Sequence, residues 1–457
     1  MSIVTMPYSR RYDEIFHQEG RLISHTAACP DVPLVTFLRY AQGMQRVFWE
    51  SSTASVTFAG VGAAVEFSAN GAGRFEAIRR QLTRLYEEAD VSGPEESAVR
   101  VFGGFSFDPQ QRHDRAWDAF PDAYFVVPRY QLTRSHGQTW LTINRYVTDP
   151  TDEWEPLYEE HRALSEWIET ASDEPPTLPE LDQFTLLVSQ PQWHEEIEAA
   201  RAIIHSGEAD KIVLARAAEA SFSEPPDLLT ALTNLAQRYA NTYRFLIEPR
   251  PGHAFYGATP ELLVQIDGGR LYTAALAGST RRDQTPEADA VLGQGLLDSA
   301  KDRHEHAIVV QAIRSQLQPL TATLAVPDAP VLMKLANIQH LYTPIEATLP
   351  EETHILDVVA RLHPTPALGG APRDVALRAI AALEPVPRGW YGAPVGWIDH
   401  RGNGVFSVAI RSALGNGTRT RFYGGAGIVG DSDAASEWQE TAVKLVPMLS
   451  AHGIQHD

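Results

Sequence analysis

Residues 422–445 read FYGGAGIVGDSDAASEWQETAVKL, a glycine-rich run followed by a stretch with helical spacing. Gly425, Gly427 and Gly430 match the G-x-G-x-x-G spacing of dinucleotide-binding folds, where glycines permit a tight turn and a helix N-terminus faces pyrophosphate. That fingerprint also needs a following strand with an acidic residue roughly 20 positions on. Here one expected helix, Ala434–Leu449, follows before Asp457, so the nucleotide reading is disfavoured. The helix is the more informative part. At about 100° per residue, Glu437, Glu440 and Lys444 fall on one face and set two carboxylates and an ammonium just after an expected glycine turn.

Composition narrows the partners. The chain has 457 residues, 44% apolar and 21% charged, an ordinary globular balance. Its 58 acidic against 38 basic residues give a net charge of −20, which repels nucleic acid and anionic membranes unless a basic patch is present, and the sequence has none. A single cysteine, Cys29, leaves no intramolecular disulfide framework and no cysteine zinc cluster, so a reducing compartment is expected. With no apolar run of signal-peptide or membrane-spanning length, the expectation is a cytoplasmic chain.

Working outward, residues 1–150 read mainly as strands, at Ser55–Phe58, Val99–Phe107, Ala123–Arg134 and Thr139–Tyr146, with a helix over Phe75–Ala89. Gly103 and Gly104 lie inside a strand pattern and suggest a bulge or close backbone approach. An acidic, Pro-rich connector follows a helical stretch at Glu155–Ala171. It separates a variable part, 1–185, from a core, 190–452, within one expected domain. The core opens with a helix over Pro191–His205 and a strand at Lys211–Arg216. Further strands are expected at Tyr243–Ile247, Ala254–Gly257, Leu262–Ile266, Arg270–Ala275, Gly404–Leu414 and Thr418–Gly424. Helices are expected at Asp227–Tyr239, Ser299–Leu317, Thr353–Arg361 and Pro372–Leu383. Hairpins mixed with helices, without strict βαβ alternation, predict an α+β fold.

Several residues have two readings. Lys211 shares a strand face with Val213 and Ala215; desolvation there makes a lysine a base, whereas a strand-start lysine reaching solvent is the plain alternative. Glu261, after a Thr-Pro turn in FYGATPELL, is a turn carboxylate or a partly buried acid. On the 299–317 helix, Glu305 shares a face with Ile308, Val309 and Ala312, so a carboxylate is expected on the packed side and needs a partner or a metal. His304 and His306 do not form the H-E-x-x-H zinc motif. Glu305 with Glu440 or Glu437 would make an oxygen-only site suited to Mg²⁺. His340 is a core histidine by default, and the segment LHPTPALGG is a rigid turn able to line a pocket.

Taken together, DKIVLARA, FYGATPELL, AALAGSTRR, KDRHEHAIVV, LHPTPALGG, GNGVFSVAIRSAL and the terminal stretch resemble, in order, the chorismate-utilising enzymes, from about Gln190 to Leu449. The segments FGGFSFDP and FPDAYFVVPRY resemble the N-terminal part of the isochorismate-forming members, the menaquinone-pathway ones most of all. The resemblance implies an α+β fold of two large, mostly antiparallel sheets packed together with helices outside, and an Mg²⁺-dependent pocket for chorismate. It implies Lys211 as the base that activates water, Glu261 as the acid at the departing hydroxyl, and Glu305, Glu440 and Glu437 as metal ligands. Substrate contacts are implied for Gly278, Ser279, His340, Ala367, Leu368, Arg411, Gly425, Ala426, Gly427 and Lys444. Lysine at 211 points to water as nucleophile, since aminating relatives carry glutamine there, and no glutaminase subunit is implied. Alanine at 367, where lyase members carry threonine, points to release of isochorismate and away from salicylate formation. A monomer is expected.

Overall fold

The computed structural model describes residues 10–11, 20–51, 56–94, 99–148, 154–171, 175–336 and 338–455. Hydrogen bonding links the described strands into one ladder. Its main path starts at Leu181–Leu186 and passes through Lys211–Phe222, Arg419–Ile428, Ser412–Asn416, His253–Thr259, Tyr243–Arg250, Arg46–Ser51 and Val56–Ala69. It continues through Ala123–Ser135, Val101–Phe105, Pro394–Ile398, Gly404–Val408, Leu262–Asp267 and Arg270–Arg281 to Ile338–Thr348. Every pairing on this path is antiparallel. Lys211–Phe222 and Arg419–Ile428 near its start and Arg270–Arg281 and Ile338–Thr348 at its finish line one cavity, so the ladder doubles back, and the two expected sheets are limbs of a single hydrogen-bonded network. Strands on both sides of the acidic connector pair directly, as Arg46–Ser51 with Tyr243–Arg250.

Alternation explains the packing. One hydrophobic cluster joins the limbs, with Ile212 and Leu214 on one side and Val264, Ala275, Ile345 and Phe406 on the other. A second lies under the helices Leu228–Arg238 and Ala434–Ala451 and includes Tyr256, Leu232, Phe422 and Leu445. The 190–205 helix starts from Ser189, whose hydroxyl accepts from the Gln192 N–H, and buries Trp193, Ile197 and Ala200 at the predicted spacing. No described helix is long and apolar enough to cross a membrane.

Four local expectations change. Residues 424–427 form no turn: they sit inside the Arg419–Ile428 strand, opposite Arg216, Ala215, Leu214 and Val213, and none has a positive φ. The dinucleotide geometry is therefore absent. The segment predicted as one strand at Gly404–Leu414 is two, Gly404–Val408 and Ser412–Asn416, broken where Arg411 adopts a φ of 49°. On the 300–317 helix the buried stripe is His306, Val309, Ile313 and Leu317, which rotates Glu305 off the packed face and toward the cavity. Lastly, the strand expected at Ser55–Phe58 runs from Val56 to Ala69, and Ser55 lies outside the described residues.

Phe125 stands at the centre of the first cluster, fully buried, with its ring 5.1 Å from Phe105 and 6.2 Å from Phe406. Phe125→Ala should destabilise the protein by about 3–5 kcal/mol, the usual cost of a buried aromatic truncated to alanine. A lower urea midpoint checks this; an unchanged midpoint would show that the limbs do not depend on this contact.

Candidate active site

Lys211 opens its strand and is only 1% exposed. Its Nζ donates to Glu305 Oε1 at 2.6 Å, so a group from one end of the ladder meets a helix packed on the other end. Gly427 lies beneath this pair. A Cβ there would come within 2.7 Å of Lys211 Cε and 3.0 Å of Glu305 Oε1, so the glycine provides room for the lysine. Val213 and Ala215 turn their backbone groups to the strand's far edge, toward Gly369 O and the Glu384 carboxylate. Their pairs with Gly427 and Gly425 are thus the non-hydrogen-bonded kind. The two glycines consequently direct their own N–H and C=O groups to the opposite edge, where Lys444 Nζ donates to Gly425 O at 2.8 Å.

Glu261 follows Pro260 in the connection between His253–Thr259 and Leu262–Asp267 and is 7% exposed. Its N–H donates to Thr259 Oγ1 at 3.2 Å and its carbonyl accepts from Val408 at 3.0 Å, which fixes the backbone and leaves the carboxyl to the cavity. Burial pushes that carboxyl up to about 7, against the opposing pull of Arg411, Lys211 and Lys444.

The terminal helix supplies Glu437, Glu440 and Lys444 to the same cavity. Lys444 Nζ donates to Glu440 Oε1 at 2.6 Å. Burial opposes ionisation of Glu440, but Lys444, by charge and by hydrogen bond, and then Lys211 outweigh it and hold this carboxyl below its ordinary range. Glu437 goes the other way, raised to about 7 by burial and next by the charge of Glu440. Glu305, Glu437 and Glu440 on one cavity, the second raised by burial and repulsion, are the donor chemistry that a hard divalent cation offsets. Glu305 and Glu440 each accept from a lysine. Among the described residues no three His, Cys, Asp or Glu side chains form a ready coordination shell.

On the facing limb a bulge shapes the wall. Ala277 pairs with Leu341 and Ser279 with His340, leaving Gly278 as the extra residue at a φ of 77°. This lets consecutive residues 277–279 all border the cavity. His340 Nδ1 and Ser279 Oγ are 2.8 Å apart, while the buried Nε2 has no hydrogen-bond partner among the described residues. Burial, then Arg411 and Lys444, lower His340 to about 3, so it is neutral.

The cavity thus brings together all the expected site residues except Ala426, whose side chain points to the opposite face of its strand and into the hydrophobic cluster. It also contains residues that the sequence reading missed: Lys301, Asp302, Arg388 and Tyr391. The first two lie one helical turn before Glu305, a spacing visible in KDRHEH; nothing local marks Arg388. A larger cavity of about 550 Å³ lies beyond the 387–391 segment, but it contains none of the expected residues.

The chain belongs to the chorismate-binding enzymes: a family model described as chorismate binding enzyme matches residues 11–453. The isochorismate synthase MenF of Bacillus subtilis is 36% identical over 448 residues, covering 94% of this chain and 93% of that protein. The salicylate biosynthesis isochorismate synthase of Pseudomonas aeruginosa is 38% identical over 408 residues, covering 89% and 84%. The solved structure of MenF, the menaquinone-specific isochorismate synthase from Escherichia coli, superposes with a TM-score of 0.79 at 26% identity over 95% of each chain.

Two outcomes follow from the geometry. Gly427→Ala should leave the fold intact but push the Lys211 amine away from Glu305, because a flexible side chain gives way before the ladder does; a crystal structure with the ion pair unmoved would refute the steric account. The raised Glu261 carboxyl gives a second. Between its ordinary pKa of 4.5 and about 7, the folded state binds the proton that the unfolded state releases, so this residue costs stability progressively as pH rises. Glu261→Gln should be more stable than the parent by about 2–3 kcal/mol at pH 8 and nearly equal to it at pH 4. Denaturation at the two pH values with an identical difference would contradict this.

Proposed function

We propose that this protein is an isochorismate synthase, converting chorismate to isochorismate in an Mg²⁺-dependent reaction that supplies menaquinone synthesis. The observation that carries it is the meeting of buried Lys211 and buried Glu261 in one cavity with Arg411, Lys444 and three carboxylates. The reaction replaces one hydroxyl by another. Water attacks C2, the ring double bonds shift, and the C4–O bond breaks. Lys211 is the base that takes the proton from the attacking water. Glu261, which burial inclines to stay protonated, gives its proton to the departing oxygen, so that water leaves in place of hydroxide.

Chorismate is a dianion, and a protein of charge −20 must hold it with local positive charge. Arg411, Lys444 and the outward amides of Gly425 and Gly427 do so, with Ser279 and His340 along the facing wall and the Gly278 bulge between the limbs. The break at Arg411 aids this: its carbonyl accepts from the Ala258 N–H at 3.0 Å, which anchors the turned backbone while the side chain enters the cavity. Mg²⁺, held by Glu305 and Glu440 with Glu437 beside them, would polarise the ring carboxylate of the substrate. Ala367 and Leu368 close the wall without a hydroxyl at 367, in keeping with release of isochorismate. The menaquinone assignment rests on the relatives that cover nearly the whole chain. The same reading takes the chain as a cytoplasmic monomer without a glutaminase subunit.

Purified protein with chorismate and Mg²⁺ should form isochorismate without pyruvate, and Lys211→Ala and Glu261→Ala should each lower turnover at least ~10²-fold. Salicylate and pyruvate as main products would assign the lyase reaction instead. Near-parental activity in either variant would remove that residue from the mechanism.

A further inference from the structure

One edge of the Lys211–Phe222 strand is paired continuously with Arg419–Ile428. The other edge is not. Gly370–Ala371 pairs with Lys211 and Ile212, and Leu181–Leu186 pairs with Ala218 onward, leaving residues 213–217 without a strand beside them. Backbone groups at such a buried edge still need partners. Val213 N–H donates to Gly369 O at 3.0 Å and Leu187 N–H donates to Ala217 O at 2.9 Å. Two more groups are met by side chains: Ala215 N–H donates to Glu384 Oε1 at 2.8 Å, and Arg388 Nη2 donates to Val213 O at 2.9 Å.

Glu384 and Arg388 are themselves an ion pair one turn apart in sequence, with Arg388 fully buried. Arg388 Nε donates to Glu384 Oε2 at 2.9 Å, and Nη1 donates to Leu368 O at 2.8 Å. The guanidinium also lies 4.2 Å from the centre of the Phe107 ring. One planar group therefore ties three things together: the strand that begins with Lys211, the loop that presents Ala367 and Leu368, and the carboxylate that holds Ala215. Only arginine has donors fixed in a plane and numerous enough for this; a lysine has a single nitrogen.

We propose that Glu384 and Arg388 form a positioning pair for the reaction, standing in for the missing strand and setting Lys211 against the Ala367–Leu368 wall. The proposal rests on the isochorismate synthase reading. Cost supports it. A buried ion pair is a poor source of stability compared with apolar packing, so its placement between two cavity walls points to geometry as its role. The pair acts through Lys211, and its loss affects how the base meets water more than how the substrate carboxylates are held.

The test uses the full-length protein with chorismate and Mg²⁺, measuring kcat, KM and melting temperature together. Arg388→Lys keeps the charge and loses the fork; it should lower kcat about 10²-fold, the scale of a reacting group misplaced by about 1 Å, while KM for chorismate changes less than about threefold. Glu384→Gln retains an acceptor for Ala215 and for Arg388, and should recover most of what Glu384→Ala loses in kcat. Unchanged kcat in Arg388→Lys overturns the proposal. So does a loss of activity in Arg388→Lys that tracks a lowered folded fraction, since that is the mark of a structural role alone. Failure of the parent protein to form isochorismate would sink the underlying reading, whereas a turning-over parent with an indifferent Arg388→Lys sinks only the positioning role.

Discussion

The Lys211–Glu305 ion pair is where the two ends of a folded-over ladder are joined chemically. Lys211 starts a strand in the first limb, and Glu305 lies on a helix packed against the last. A buried ammonium without a carboxylate is costly, so each of the two groups offsets the burial of the other. The glycine strand makes this possible. Only a residue without a side chain at 427 leaves space for the lysine to lie across the ladder.

Charge is arranged by the same principle throughout the cavity. Lys444 spans Glu440 and Gly425 O, burial and then Arg411 and Lys444 hold His340 neutral, and Glu261 is kept near its proton by burial despite the cations around it. On the proposed reading, Glu261 supplies the acid and Lys211 the base that exchanging one ring hydroxyl for another requires. Arg388 and Glu384 belong to the same economy of backbone groups, completing an edge where no strand reaches.

Much of the site was legible in the sequence. Lys211, Glu261, Glu305, Arg411, Glu437, Glu440 and Lys444 all enter one cavity, as their motifs implied. Helical spacing placed Glu437, Glu440 and Lys444 on one face, because that relation depends on local geometry alone. The face of Glu305 was misjudged for the opposite reason. Ile308 and Ala312 are as apolar as residues on the packed stripe, and only the neighbouring strand determines that His306 is the one buried, between Ala277 O and Thr343 Oγ1. The strand break at Arg411 was equally invisible, since Gly404–Leu414 carries no glycine or proline after its first residue, and the Arg411 carbonyl that accepts from the Ala258 N–H has its partner across the ladder.

The sequence by itself determined the element types, the α+β class, the family resemblance and the inventory of chemical groups, all of which follow from short-range periodicity and motif order. The tertiary structure alone decided that the glycine run is a strand and not a turn, that Arg388 reaches the cavity while paired with Glu384, and that the two limbs are one ladder. The physical reason is the same in each case. A glycine accepts many backbone conformations and a buried ion pair accepts many partners, and which one is realised depends on residues two hundred positions away that the fold brings alongside.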